Sequence, residues 1–168
     1  QQINDLSIIS KSKDIKSFAS FKKEALKVYE QYNVNWLKTE YQTTIGQSQT
    51  AVRWEQIQDQ KKFLPYLKYD AVLDTQTSEI CRPLDGVTLR ADDKFWNTNS
   101  PLNHFNCRCV LIQLEKEEAT ETTKKKADAI SEKLNEERQS LFNSNSGVTK
   151  QVFTKEHPYF DIPKKDID

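Results

Sequence analysis

The chain contains no methionine, three glycines, three cysteines and five prolines in 168 residues. So few glycines and prolines leave few positions for sharp turns, which favours long helices. An odd and small number of cysteines, in a chain that begins without a secretory signal, points to a reducing compartment rather than to a disulfide framework. Because methionine is missing even at position 1, we expect the chain to be a fragment of a longer protein or a processed product.

Long apolar runs and an excess of one charge are also missing. No apolar run reaches the roughly 18 residues of a membrane span, and the N-terminus has no apolar segment, so we expect neither a span nor a signal peptide. Lysine plus arginine and aspartate plus glutamate each number 25, giving a net charge of zero. A protein that works mainly by gripping nucleic-acid phosphates is usually basic. Any contact with DNA is therefore expected to use local basic patches.

The residues that are present predict one domain of ordinary size with a modest core. Apolar residues make up 36% of the chain and charged residues 30%, a balance typical of long, solvated helical surfaces. Aromatic residues make up 10%, which argues against a disordered chain. One candidate basic patch lies near the N-terminus, where a solvated helix face is the simpler interpretation. Its lysines are Lys11, Lys13, Lys16, Lys22, Lys23 and Lys27.

Apolar periodicity predicts helices on both sides of a short strand-rich segment. Spacings of three and four residues predict a helix over 13–32, and a second run, with a polar interior, predicts another over 36–62. A further apolar stripe predicts a helix after Glu115, with Arg138 interrupting the stripe. The predicted division is a helical arm (1–62), a core (63–115), a C-terminal helix (116–143) and a tail (144–168). Within it, residues 142–150 are predicted to be a linker or hairpin turn.

Between the helices, alternating apolar residues predict three short strands. They cover residues 67–74, 87–91 and 107–114, and turn-forming residues separate them. In the third strand Cys107 and Cys109 would share one face, because side chains two apart in a strand point the same way. We therefore expect an α+β fold with long N-terminal helices, a small antiparallel β unit and a further C-terminal helix.

The candidate site lies in this β unit. Cys81, His104, Cys107 and Cys109 follow the pattern C-x(22)-H-x(2)-C-x-C. Zinc prefers four ligands in a tetrahedron and favours thiolate sulfur and imidazole nitrogen. A C-x-C pair would strain a tetrahedral site if both sulfurs bound the ion, so Asp74 or a water molecule is an alternative fourth ligand.

Two other interpretations of the cysteines remain open. Free cysteine is often a small buried hydrophobe, so Cys107 and Cys109 could simply line the inner face of a strand. A reactive thiol is the third interpretation, with His104 as base and Arg82 or Arg108 favouring a thiolate. No local pattern typical of a cysteine hydrolase supports the thiol hypothesis.

Residues 66–114, "YLKYDAVLDTQTSEICRPLDGVTLRADDKFWNTNSPLNHFNCRCVLIQL", resemble the phage Mu F-like family of minor head (head morphogenesis) proteins. The family signature has an Asp followed by Thr or Ser, then I-C-R-x-L-[DH]-G. A loop with a Trp, then P-x-x-H-x-x-C-R-C, and a hydrophobic strand complete it. The residues that match are Asp74, Thr77, Ser78, Cys81, Arg82, Leu84, Asp85, Gly86, Phe95, Trp96, Pro101, His104, Asn106, Cys107, Arg108 and Cys109.

The resemblance implies a virion component of low copy number, located at the portal vertex or in the capsid interior and in the host cytoplasm during assembly. It implies portal and capsid proteins as partners, with packaged DNA touched through basic patches. It also strengthens the metal hypothesis, with zinc as the first choice, because Cys and His-x-x-Cys belong to the family signature. We therefore expect a non-enzymatic head protein that aids assembly, DNA packaging or delivery. The alternative is a metal-dependent hydrolase or nuclease, with Asp74, Glu79 or Asp85 as base, or a toxin-delivery module.

Overall fold

The computed structural model describes residues 17–28 and 34–153. Within these residues the fold is α+β, as predicted. The helices are α1 (Phe18–Val28), α2 (Val34–Gln60), α3 (Trp96–Asn99), α4 (Lys124–Glu137) and α5 (Ser146–Thr149). The strands are β1 (Tyr66–Asp70), β2 (Thr88–Arg90) and β3 (Val110–Leu114), and 3₁₀ turns cover Arg82–Leu84 and Ser140–Phe142.

The three strands form an antiparallel sheet in the order β2-β1-β3. The central strand β1 shows the predicted alternation, because Leu67 and Tyr69 are fully buried while their neighbours are half-buried. Leu67 pairs with Leu89 on β2, and Tyr69 pairs with Leu111 on β3. These pairs place a continuous apolar surface on the face that meets the helices.

The prediction that the third strand begins at Cys107 is wrong. A turn closed by a hydrogen bond from Cys107 N to His104 O bends the chain, and Asn106 adopts a left-handed conformation with φ of 58°. Strand β3 begins only at Val110. Cys107 and Cys109 therefore do not share a strand face, and Cys107 faces the loop that carries Cys81.

Helix α2 is continuous despite its polar interior. The hydroxyls of Thr43 and Thr44 donate hydrogen bonds to the carbonyl oxygens of Thr39 and Glu40, at 2.9 and 2.8 Å. The hydroxyl of Ser48 donates in the same way to the carbonyl oxygen of Thr44. A hydroxyl that donates to a carbonyl oxygen one turn earlier has its hydrogen bond within the helix. It therefore does not compete with the helical hydrogen bonds of the backbone. The helix predicted over 36–62 is confirmed, with bounds of Val34–Gln60.

Two groups of buried side chains hold the fold together. The main core lies between the sheet, the end of α2 and α4. Its larger members are Trp54, Ile57, Leu67, Tyr69, Leu84, Leu89, Phe95, Trp96, Leu111 and Leu134. A smaller cluster joins α1 to the start of α2 through Phe21, Ala25 and Leu37. The predicted first helix is confirmed over the described part, and the remainder of 13–32 lies outside the described residues.

Helix α4 is shorter than the predicted helix over 116–143. Thr123 caps its start by accepting a hydrogen bond from Lys126 N, and the helix ends at Glu137. Arg138 does not interrupt an apolar stripe as predicted. It follows the helix as its C-terminal cap and is 95% buried, with an exposed fraction of 5%.

The prediction of a linker or hairpin turn over 142–150 is also wrong. This segment folds into α5 and packs against α2. Asn145 Nδ2 donates to Trp96 O over 3.1 Å, and Ser146 Oγ donates to Gln47 O over 2.9 Å. Asn145 also caps α5 by accepting from Gly147 N. The polar side chains are buried because distant backbone groups bind them, which local sequence does not reveal.

Three other predictions are tested only in part or not at all. The four-segment division at residues 62, 115 and 143 stays a prediction. Of the lysines of the basic patch, Lys22, Lys23 and Lys27 lie on α1, and the other three lie outside the described residues. No helix in the described part of the chain has both the length and the apolar character needed to cross a bilayer.

Candidate metal centre

The site is built from two loops that flank the sheet. Cys81 lies between β1 and β2, where hydrogen bonds from its own N–H and that of Arg82 to Ser78 O form a tight turn. His104 and Cys107 lie in the loop before β3. Phe105 of that loop packs edge-on against Phe142, with ring centroids 5.0 Å apart. The apolar contact anchors a loop that has no regular secondary structure.

Cys81, His104 and Cys107 come together as a compact set of ligand atoms. Their sulfur and nitrogen atoms all lie within 4.8 Å of one another, and the two sulfurs are 3.7 Å apart. Two thiolates at 2.3 Å from a tetrahedral zinc ion would be about 3.8 Å apart. The side chains present therefore fit the spacing that zinc requires without a rearrangement of the sulfurs.

The ring of His104 is oriented by its own loop. Its Nδ1 lies 2.7 Å from the carbonyl oxygen of Phe105. A carbonyl oxygen only accepts, so Nδ1 carries the proton and donates it. The lone pair is then on Nε2, which is the nitrogen that could coordinate a metal ion.

The three thiols share hydrogen bonds and differ in acidity. Hydrogen bonds with Cys109, Cys81 and His104 lower the pKa of the Cys107 thiol. The same contacts with Cys107 raise the pKa of Cys81 and of Cys109, and contact with Cys107 also raises the pKa of His104. Cys107 is therefore the first of the three to become a thiolate, the form that binds metal.

Cys109, the remaining predicted ligand, lies beside this set. It is 8% exposed and forms hydrogen bonds with the other two thiols, but its sulfur is not part of the compact group. The assignment of four ligands stays a prediction. The geometry groups three of the four predicted residues tightly and keeps the fourth within reach of both sulfurs.

Asp74, considered from the sequence as an alternative fourth ligand, binds Arg108. Both of its carboxylate oxygens accept hydrogen bonds from Arg108, each at 2.8 Å. This pair lowers the pKa of Asp74 to about 2. Asp74 is thus not a member of the compact ligand set, and it ties one loop of the site to the other through Arg108. Arg82 pairs with Glu79 at 3.5 Å.

Sequence reasoning missed three buried polar residues behind the site. Asn103 Nδ2 donates to the Tyr69 hydroxyl over 3.0 Å, and that hydroxyl lies 3.4 Å from Cys81 Sγ. Arg138 donates to Asn103 Oδ1. Burial lowers the pKa of Arg138 to about 10, so its guanidinium is still charged at neutral pH. In the sequence, the position of Asn103 next to His104 was the one signal that it belongs near the site. Nothing in the local sequence marks Arg138 as a residue of the site.

Comparison with known proteins identifies the family. Residues 12–112, more than half of the chain, match the family described as phage Mu protein F like protein. The chain belongs to this family. The match includes the two loops of the candidate metal centre, α2, β1, β2 and the start of β3, so the resemblance seen in the Cys and His-x-x-Cys pattern is confirmed.

Two curated relatives share part of this region. Protein F of Escherichia phage Mu, named for capsid assembly, is 34% identical over 78 residues, and the Mu-like prophage FluMu F protein of Haemophilus influenzae is 36% identical over 78 residues. In both cases the alignment covers 46% of this chain and 18% of the relative. The chain therefore corresponds to a small part of these proteins. No solved structure matches the chain.

Proposed function

We propose that the chain is a non-enzymatic structural module of a phage minor head protein, and that a bound zinc ion stabilises the β unit of this module. Family membership and the name of the phage Mu relative support a role in the phage head. The observation that carries the zinc proposal is the compact set of Cys81, His104 and Cys107, with its sulfurs at the separation that tetrahedral zinc needs. Small β units with little apolar area often depend on such a metal.

The surroundings of the ligands favour a structural role for zinc over a catalytic one. A catalytic zinc needs an open position and a nearby general base. Cys81 is 1% exposed and belongs to the main core. Of the acids considered as bases, Asp74 has both carboxylate oxygens bound by Arg108, which lowers its basicity, and Asp85 accepts from Ala71 N at 3.0 Å. Glu79 is exposed and pairs with Arg82.

Elemental analysis of the purified chain tests the zinc proposal. We expect one zinc per chain, with loss of the metal and of cooperative unfolding in His104→Ala. His157, the other histidine of the chain, provides the matched control, and His157→Ala should retain zinc. A chain that binds no zinc and whose stability is unchanged by a chelator would exclude the metal. A His104→Ala chain that keeps its fold would instead favour a catalytic centre.

For the place of the protein in the particle, we propose the portal vertex on the capsid interior, with a contribution to DNA packaging or delivery. The separation of the buried side chains into two clusters supports this location. The smaller cluster joins α1 to the start of α2 outside the main core, as a helical arm suited to contact portal or coat proteins. DNA would be contacted only locally, because the net charge is zero. The lysines of α1 are the first candidates for that contact.

Co-purification tests the partner. The tagged chain is expressed together with the portal and coat proteins of its own phage, and the proteins retained with it are identified. We expect the portal protein to be retained at ordinary salt concentration. A chain that remains monomeric and unattached would overturn the portal proposal, and retention of coat protein alone would move the site of action away from the portal.

A further inference from the structure

A continuous line of buried polar side chains runs from the end of α4 to the metal centre. Arg138 bonds to Asn103, and Asn103 bonds to the Tyr69 hydroxyl. The hydroxyl in turn contacts Cys81 Sγ at 3.4 Å. All four side chains are at least 95% buried, with exposed fractions of 5, 1, 0 and 1%. Three of them bind no metal, so the line needs an explanation beyond the ligand set.

The direction of hydrogen bonding along this line is set at Arg138. A guanidinium donates and cannot accept, so Asn103 presents its carbonyl oxygen to Arg138 and its amide N–H to Tyr69. The hydroxyl of Tyr69 therefore accepts from Asn103. Among the described residues, the acceptors left for the hydroxyl proton are sulfurs of the site, that of Cys81 at 3.4 Å and that of Cys109 beside it. A buried hydroxyl without an acceptor is costly, so Tyr69 donates to these sulfurs, Cys81 among them.

A hydroxyl that donates to a sulfur fixes where that sulfur lies. A thiolate bound to a metal ion is a better acceptor than a thiol, because the charge strengthens the hydrogen bond. The line of donors thus ends on one of the proposed zinc ligands and suits that ligand in its metal-bound form.

The charge of Arg138 acts in the same direction. In the part of the chain that the structure describes, no carboxylate lies within ion-pair distance of its guanidinium. Its partners there are the side-chain oxygens of Asn99, Asn103, Asn135 and Asn143. A buried positive charge surrounded by neutral amides favours negative charge nearby. Thiolate ligands around a divalent ion supply that charge.

We propose that Tyr69, Asn103 and Arg138 are positioning residues of the metal centre, which fix the position of the Cys81 sulfur for the ion while the positive charge of Arg138 offsets the charge of thiolate ligands. This inference rests on the proposed zinc centre and extends it to residues that touch no metal. Groups that orient metal ligands in this way typically change metal affinity by about 10- to 100-fold.

The first test removes the last donor of the line. Tyr69→Phe deletes one hydroxyl from the core and keeps the ring, and zinc affinity is measured by competition with a chelator of known affinity. We expect affinity to fall by about 10- to 100-fold. Tyr66→Phe on the same strand is the matched control, since its hydroxyl contacts the exposed Glu121.

The second test separates the line of hydrogen bonds from the charge. Asn103→Asp still accepts from Arg138, which preserves the fold, but it can no longer donate to Tyr69. Asn135→Asp places the same carboxylate beside the same guanidinium, where Asn135 already accepts from Arg138 at 3.4 Å, and leaves the line intact. We expect Asn103→Asp to lose much more zinc affinity than Asn135→Asp.

The possible results distinguish a failure of this inference from a failure of the zinc proposal on which it rests. If the unaltered chain binds no zinc, both are overturned. If it binds zinc and both Tyr69→Phe and Asn103→Asp match their controls in affinity, the zinc centre stands and the positioning role is overturned. A variant that binds zinc weakly but has the circular dichroism spectrum of the unaltered chain once saturated with zinc supports the role. A variant that stays unfolded at saturating zinc overturns it, since that residue is needed for folding itself.

Discussion

Arg108 and Asp74 form a two-point ion pair, with Nη1 and Nη2 each 2.8 Å from a different carboxylate oxygen. The two residues belong to the two loops that carry the candidate metal ligands and are 34 positions apart in sequence. Paired nitrogens on a planar guanidinium match the geometry of a carboxylate closely, which fixes the orientation of both side chains. The pair therefore links the two loops at the exposed surface of the protein.

This ion pair predicts the acid titration of Asp74. The hydrogen bonds from Arg108 hold the pKa of Asp74 at about 2, below its ordinary value of 3.8. Because the folded-state pKa is depressed, the pair contributes its full stabilisation above pH 3.8 and loses it as the pH falls through about 2. In Arg108→Gln we expect the carboxyl to titrate closer to 3.8, as read from its carbon chemical shift by NMR.

Arg82→Gln is the matched control for that titration. Arg82 lies in the same loop region and bonds to Thr77 O rather than to Asp74. The titration of Asp74 should be unchanged in this variant. An equal rise of the Asp74 pKa in both variants would show that general positive charge, and not the two-point pair, sets its acidity.

A second prediction concerns the contact between α5 and α2. Gly147 lies against Trp54 so closely that a β-carbon on it would overlap the tryptophan side chain. Because both residues are buried, neither can move away cheaply. We expect Gly147→Ala to lower the free energy of unfolding by about 1–3 kcal/mol, the usual range for overpacking, in denaturant unfolding.

Gly86→Ala is the comparison for this overpacking. Gly86 has a φ of 73° and open space around it, so an added β-carbon meets no neighbour. Its cost comes only from the left-handed backbone, about 1–2 kcal/mol. If Gly147→Ala proves harmless while Gly86→Ala is destabilising, α5 is not packed on Trp54 in solution.

A third prediction concerns the attachment of α4 to the main core. Leu134 is fully buried in that core, whereas Leu141 is only half-buried beyond the end of the helix. Leu134→Ala should cost about 2–5 kcal/mol of unfolding free energy, because it removes apolar contacts and leaves a cavity. Leu141→Ala should cost clearly less. Similar losses at the two sites would contradict the end of α4 at Glu137.

A fourth prediction concerns oxidation of the metal-free chain. Cys81 Sγ and Cys107 Sγ are 3.7 Å apart, and Cys107 has the lowered pKa. With oxidised glutathione, the Cys107 thiolate attacks a glutathione sulfur and releases one reduced glutathione. The Cys81 thiolate then displaces the second glutathione, and a Cys81–Cys107 disulfide forms. Mass spectrometry of the digested chain should show the two joined peptides.

Bound zinc should prevent this reaction, because coordinated thiolates are no longer free to attack. The test compares the chain with and without zinc at the same glutathione concentration. Equal rates of disulfide formation in the two samples would mean that Cys81 and Cys107 do not both bind the ion. A disulfide joining Cys107 to Cys109 instead would show that Cys109 lies closer to the attacking sulfur in solution.

The sequence allowed the parts of the fold that depend on local pattern to be predicted. Strand β1 followed from the alternation around Leu67 and Tyr69, and the closeness of Cys81, His104 and Cys107 followed from the spacing of the family signature. The start of β3 was missed because the turn before it depends on the left-handed conformation of Asn106, which asparagine tolerates better than most residues but does not adopt at every position.

The buried roles of Arg138 and Asn145 could not be read from their neighbours. Each is polar, and each is buried only because partners far along the chain satisfy it: Asn99 and Asn103 for Arg138, and the carbonyl of Trp96 for Asn145. Local sequence predicts such residues to be exposed, since an unpaired polar group avoids the interior. The candidate ligands were thus predictable, whereas the residues that support them required the fold.

Helix α2 belongs to both groups of buried side chains, with Leu37 in the smaller cluster and Ile57 in the main core. These two positions are about 30 Å apart along the helix axis. The helix thus has a fixed length, which sets how far the α1 surface lies from the main core. A force applied to that surface would be transmitted along the helix to the main core. Relatives that add or remove whole turns of this helix would change the reach of the arm and leave both ends intact.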